Sequence, residues 1–126
     1  MHTTETNYRS GYVVAFAVLS WLGMTIHNAV ELPRLTVLSP EAGIPTLVYI
    51  VLVIGWWRFP NKRLWEIMLF VWALLHLVGG GITTVIPFSF LPFYPEQSLK
   101  HYLTHVLYSV TQLPLMVVLF RQRPQP

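Results

Sequence analysis

The sequence contains no cysteine and very little charge. Without cysteine, the chain has no disulfide, no thiolate metal ligand and no cysteine nucleophile, and its redox compartment cannot be inferred. Charged residues make up 10% of the chain, whereas soluble domains average about 25%. Because so few charges cannot cover a surface that faces water, the composition predicts an integral membrane protein, surrounded by the lipid bilayer.

A long basic run is also missing, although the sequence pI is near 9.5. The longest basic stretch is Lys62-Arg63, and the basic residues lie beside apolar segments. This distribution is typical of anchors that flank a membrane, so no nucleic-acid partner is expected. The polar residues 1–10 lack the charged region that opens a signal peptide, and the following apolar run is too long for one. That run is therefore predicted to be a retained span.

Apolar sequence is what the chain has in abundance, with 54% hydrophobic residues and a mean hydropathy of +0.53. A membrane-spanning helix needs about 20 predominantly apolar residues. Four such spans are predicted, between polar tails at 1–10 and 121–126, over residues 11–32, 44–59, 64–86 and 99–120. The second is short, but Trp56, Trp57 and Arg58 at its end are typical of a membrane–water interface. The sequence thus predicts an all-α fold, in which residues 1–126 form a single four-helix transmembrane bundle.

Charges around the predicted spans indicate their orientation. Four spans put both termini and the connection 58–63 on one side of the membrane, where basic residues outnumber acidic ones. On the other side, Arg34 and Lys100 are outnumbered by glutamates. By the positive-inside rule, both termini are expected in the cytoplasm, in a plasma or inner membrane. Other membrane subunits or a second copy of the chain are expected as partners.

The fourth segment carries two histidines four residues apart, His101 and His105. Residues i and i+4 of a helix share a face, and Tyr108 and Gln112 continue that face along the segment. Ionisable groups within a membrane are costly and usually face the bundle interior or a water-filled cavity. The pattern therefore predicts a polar inner wall along segment four.

Two further histidines and a glutamate lie on the other segments. His27 and Glu31 are four residues apart near the outer end of segment one, and His76 lies lower in segment three. Because segments one and four run in opposite directions, we expect His27 level with His105, and Glu31 close to His101. Three helices are thus predicted to direct polar groups toward one cavity in the outer half of the bundle.

A transition-metal ion is the first interpretation of this cavity. Imidazole suits iron, copper and zinc, and carboxylates complete such ligand sets. The candidate ligands are His27, Glu31, His76, His101 and His105. His27, His76 and His105 are predicted as the primary ligands, and the function implied is redox, electron-transfer or metal-handling chemistry. Since neutral imidazole is the form that binds metal, binding should weaken below about pH 6.

A b-type haem is the second interpretation. Axial histidines of a bundle haem come from two facing helices, as His27 and His105 would, and Gly79–Gly81 beside His76 would leave room for a porphyrin. However, two histidines at i and i+4 cannot both be axial ligands of one haem. His101 then has no role, which favours the ion.

Three other interpretations stay open. The histidines could bond only to loops or headgroups, with no cofactor bound. The polar faces could instead contact the helices of a partner, which would make the chain an accessory or scaffold subunit. A small oligomeric transporter, or a quinone- or lipid-binding protein, would use His76 and Glu31 to handle protons. The sequence does not establish an enzymatic activity.

Glycine, proline and aromatic residues add local expectations. Gly79–Gly81 predicts close helix packing, with an unwound turn beside His76 as the alternative. Pro114 predicts a kink in segment four. The outer connection 87–98 is rich in proline and aromatic residues, so we expect it to lie in the headgroup layer or to cap the bundle.

Overall fold

The computed structural model describes residues 2–36 and 38–121, with the side chains described from residue 11 onward. Its elements are α1 (His2–Glu31), α2 (Pro40–Arg58), α3 (Lys62–Leu75), a π-helical segment (His76–Thr83) and α4 (Leu99–Arg121). Every regular element in these ranges is helical, which confirms the predicted all-α class.

Four helical stretches are long and apolar enough to cross a membrane, as predicted. They are Gly11–Glu31, Pro40–Arg58, Lys62–Thr83 and Leu99–Arg121. The bounds differ most from the expected ones in three places. Helix α1 begins at His2, so the backbone of the polar stretch 2–10 is helical. Helix α2 begins at Pro40, four residues before the expected start, because proline suits the first helical turn. The third stretch ends at Thr83 rather than at residue 86. Residues 122–126 of the predicted tail lie outside the described residues.

The helices form a closed ring of antiparallel neighbours. Helix α1 packs most extensively on α4, which also contacts α3 and the π-helical segment, while α2 lies between α3 and α1. The α2–α3 connection is tight: Asn61 Oδ1 accepts the backbone N–H of Leu64 at 3.2 Å, and Lys62 Nζ donates to the carbonyl of Trp57 at 2.8 Å. These contacts satisfy backbone groups that helix ends leave free.

The interior of the bundle has an apolar half and a polar half. The apolar half, near the α2–α3 connection, is built from Val13, Ala17, Leu52, Trp56, Leu69, Ala73, Leu115 and Leu119. The polar half, toward the end of α1 and the start of α4, holds the buried polar side chains Ser20, His101, His105, Thr111 and Gln112. Helix α4 stays helical through Pro114, so both halves share one continuous wall.

The glycines of the π-helical segment allow close packing on α4. A Cβ at Gly80 would overlap the Tyr108 ring, and one at Gly81 would overlap the Ser109 hydroxyl, whereas Gly79 faces open space. The predicted close packing therefore occurs at two of the three glycines. The alternative expectation is an unwound turn beside His76. The backbone there is not unwound into a loop, but from His76 onward it has the wider turn of a π-helix.

The connection before α4 turns its aromatic side chains outward. Phe88 and Phe90 stack on each other with ring centroids 5.0 Å apart, and both are exposed, as are Phe93 and Tyr94. These rings do not cap the bundle interior. The exposed rings do not bear out the expected cap, and the placement in the headgroup layer stays a prediction.

Candidate functional site

Glu31 and His101 are hydrogen-bonded where α1 ends and α4 begins. His101 Nδ1 donates to Glu31 Oε2 at 2.9 Å, and both side chains are only 10% exposed. The other oxygen, Glu31 Oε1, accepts the Thr104 hydroxyl at 2.8 Å. The predicted proximity of Glu31 and His101 is therefore present, and it joins the two helices that pack most extensively.

A second carboxylate, Glu96, approaches this pair from the connection before α4. Glu31, Glu96 and His101 each offer one ligand atom, and the three atoms all lie within 4.8 Å of one another. Glu96 is exposed, so the cluster opens at the surface. In the sequence, Glu96 is only one of the glutamates that outnumber the basic residues on the predicted outer side, and no role in a site is predicted for it. Its position five residues before His101, just ahead of a helix start, is the signal that could have found it.

The second ring nitrogen of His101 is buried and has no hydrogen-bond partner among the described residues. Because Nδ1 donates to a carboxylate, the neutral ring carries its lone pair on Nε2. A buried polar atom without a partner is costly.

One turn further along α4, His105 faces His27 of α1. Their Nε2 atoms are 3.0 Å apart, so the two histidines expected at equal depth do meet. His105 Nδ1 lies 3.2 Å from the carbonyl of Gly81, and His27 Nδ1 lies 3.2 Å from Asn28 Oδ1. The His105 ring also contacts the His101 ring, with centroids 4.4 Å apart.

His76 is separated from the other histidines by Tyr108. Its Nδ1 is hydrogen-bonded to the Tyr108 hydroxyl, and its ring packs on Trp72 and Tyr49 at centroid distances of 4.7 and 5.4 Å. On its other side, Tyr108 stacks on His27, with ring centroids 5.1 Å apart. The structure thus brings His27 and His105 together but does not place His76 beside them.

Below the histidines, a buried network of hydrogen bonds links three helices. Ser20 Oγ lies 2.7 Å from Tyr49 Oη and also bonds to the side-chain oxygen of Gln112. Gln112 Nε2 donates to the backbone carbonyl of Ser20 at 3.1 Å. Ser20 and Gln112 are fully buried, so polar contacts extend from the surface cluster into the middle of the bundle.

Comparison of the chain with protein-family models, curated proteins and solved structures found no match. Fold alone does not imply function, because one helical-bundle architecture hosts many activities. The function is therefore inferred from the chemistry of the Glu31–Glu96–His101 cluster and the histidine pair beside it.

Proposed function

We propose that the chain spans a membrane as a four-helix bundle, with both termini on the cytoplasmic side of a plasma or inner membrane. The four apolar helical stretches support the span assignment, and so do the large apolar side chains that face outward, such as Ile50 and Trp57. The outward rings of the connection before α4 suit the headgroup layer. The basic residues near the helix ends support the proposed orientation.

We further propose that the Glu31–Glu96–His101 cluster binds a transition-metal ion. The observation that carries this proposal is the approach of one ligand atom from each of Glu31, Glu96 and His101 to within 4.8 Å of one another. Carboxylate and imidazole donors suit zinc and iron. Three protein ligands leave a coordination position open, which is typical of sites that act on or exchange a ligand rather than of closed structural sites.

The exposure of Glu96 favours metal handling over buried electron transfer. Glu31 and His101 hold the inner side of the cluster through their hydrogen bond, while Glu96 reaches it from a surface connection. An ion can therefore arrive from the aqueous side and be released to it without crossing the apolar half of the bundle.

An ion also fits these residues better than haem does. Two axial nitrogens on opposite sides of one iron lie about 4 Å apart, given metal–nitrogen bonds of about 2.0 Å. His27 and His105 instead have their Nε2 atoms 3.0 Å apart and their rings in direct contact. A porphyrin plane does not fit between them, so no step of the proposed function involves haem.

Zinc binding by the purified protein tests the proposal. The metal content is measured in detergent after loading with Zn²⁺ and dialysis, and Glu96→Gln is compared with Glu41→Gln, which removes an exposed carboxylate outside the cluster. We expect Glu96→Gln to weaken zinc binding by tenfold or more and Glu41→Gln to leave it unchanged. A wild-type protein that retains no metal, or equal binding by the two variants, would contradict the proposal and favour the accessory-subunit alternative.

A further inference from the structure

The hydrogen bond at the far side of the His105 ring fixes where its proton lies. His105 Nδ1 is 3.2 Å from the carbonyl oxygen of Gly81. A carbonyl only accepts, so Nδ1 carries the hydrogen, and the neutral ring has its lone pair on Nε2. The carbonyl belongs to the π-helical segment, whose wider turn accompanies the close approach of Gly81 to α4.

His27 is fixed in the same way by its neighbour on α1. Its Nδ1 lies 3.2 Å from the side-chain oxygen of Asn28, which is also an acceptor. The hydrogen therefore lies on Nδ1 of His27, and the lone pair of the neutral ring lies on Nε2. Both rings of the pair thus present their lone pairs on the atoms that face each other.

Two lone pairs at this separation repel each other, so a positive centre has to lie between the two Nε2 atoms: either a proton on one of them, which makes an N–H···N hydrogen bond, or a metal ion bound to both. The Nε2 atoms are 3.0 Å apart. If an ion were bound to both at about 2.0–2.1 Å, the angle between the two nitrogen–metal bonds would be about 95°. That angle lies close to the value for neighbouring ligands of an octahedral ion and somewhat below the tetrahedral one. The acceptors on the far nitrogens are the partners that metal-binding histidines commonly have.

We propose that His27 and His105 bind a second transition-metal ion, zinc or copper, one helical turn inward from the Glu31–Glu96–His101 cluster. This second position rests on the proposed metal-handling function, but its ligands are separate. The His101 and His105 rings are in contact, with centroids 4.4 Å apart, so the two positions are neighbours. An ion that enters at the surface cluster can pass to the histidine pair, which makes the polar half of the bundle a two-step path.

Zinc stoichiometry of single variants separates the two sites. The full chain in detergent is loaded with Zn²⁺, and we expect two ions in the wild type, one in His27→Gln, one in Glu96→Gln and none in the double variant. X-ray absorption of zinc-loaded Glu96→Gln should show two imidazole nitrogens at about 2.0 Å. If only the surface site were wrong, Glu96→Gln would leave the zinc stoichiometry unchanged, while His27→Gln would still remove one ion.

The inference is overturned if the wild type retains no ion that depends on His27, or if zinc in Glu96→Gln has fewer than two imidazole ligands. Asn28→Asp provides a variant that leaves both histidines in place, in case His27→Gln does not fold. Its carboxylate accepts the Nδ1 hydrogen more strongly and makes the ring a better donor, so we expect zinc at the inner position to bind several-fold more tightly. Unchanged zinc affinity in Asn28→Asp would also count against the inner site.

Discussion

Glu31 of α1 and His101 of α4 lie 70 residues apart in the chain and form a hydrogen bond with 2.9 Å between Oε2 and Nδ1. The pair joins the two helices that pack most extensively on each other. It also orients the only three-residue His/Glu cluster that the described residues contain. One contact therefore stabilises the bundle and organises its proposed metal site.

Replacing Glu31 tests both roles of this contact. Glu31→Gln removes the negative charge but keeps a side-chain oxygen that can accept one hydrogen bond. Loss of roughly 1 kcal/mol of stability would lower the thermal midpoint of the metal-free protein by about 5 °C. Zinc binding should also fall by tenfold or more. Thermal unfolding in detergent and zinc titration measure the two effects, and Glu41→Gln, outside the cluster, should change neither.

The glycines of the π-helical segment provide a matched pair of variants. Gly80→Ala places a methyl group against the Tyr108 ring, whereas Gly79→Ala places it in open space. We expect Gly80→Ala to lower the thermal midpoint by several degrees, since the Tyr108 ring must shift away from His76 and His27. Gly79→Ala should be neutral or slightly stabilising, because alanine is the better helix former by about 1 kcal/mol. Equal midpoints for the two variants would rule out close packing at Gly80.

Replacing His76 distinguishes the two proposed metal sites, neither of which contains this residue, from the predicted ligand set of His27, His76 and His105. In the structure its Nδ1 is bonded to Tyr108, so His76→Gln should leave the zinc stoichiometry unchanged. The variant should nevertheless be less stable, by about 1 kcal/mol, because the buried hydrogen bond is disturbed. Metal analysis after zinc loading is the measurement. Loss of an ion in His76→Gln would restore His76 as a ligand.

Acid should release the bound zinc. Imidazole and carboxylate bind metal only when they are deprotonated, so protons compete with the ion for its ligands. We expect zinc affinity to fall as the pH drops below about 6, where unperturbed histidines become protonated. Titrations of zinc between pH 5 and pH 8 check this. An affinity that is constant over the range would show that histidine is not a ligand.

Membrane topology can be tested by single cysteines, because the chain has none of its own. Ser89→Cys introduces a thiol in the exposed connection before α4, and Pro60→Cys introduces one in the α2–α3 connection. In intact cells, an impermeant maleimide should label Ser89→Cys and not Pro60→Cys. The reverse pattern would place the His/Glu cluster on the cytoplasmic side.

Much of the arrangement could be predicted because it is periodic. The i, i+4 spacing of His101 and His105 puts both on one helix face, and alternation of the helix direction puts His27 level with His105. Both relationships need only the helix repeat and the order of the segments. The structure shows His27 in contact with His105 and Glu31 in contact with His101.

The sequence alone determined that the chain forms four long apolar helices, and which face of each is polar, because composition and helical period are local properties. Only the tertiary structure decided which residues come together in the site. Glu96 joins Glu31 and His101 because the connection before α4 brings its carboxylate within 4.8 Å of their ligand atoms, and the path of that irregular connection follows no helical period. His76 is kept apart by the Tyr108 ring. The proton of His105 is positioned by the Gly81 carbonyl, which depends on how a π-helical turn packs against another helix.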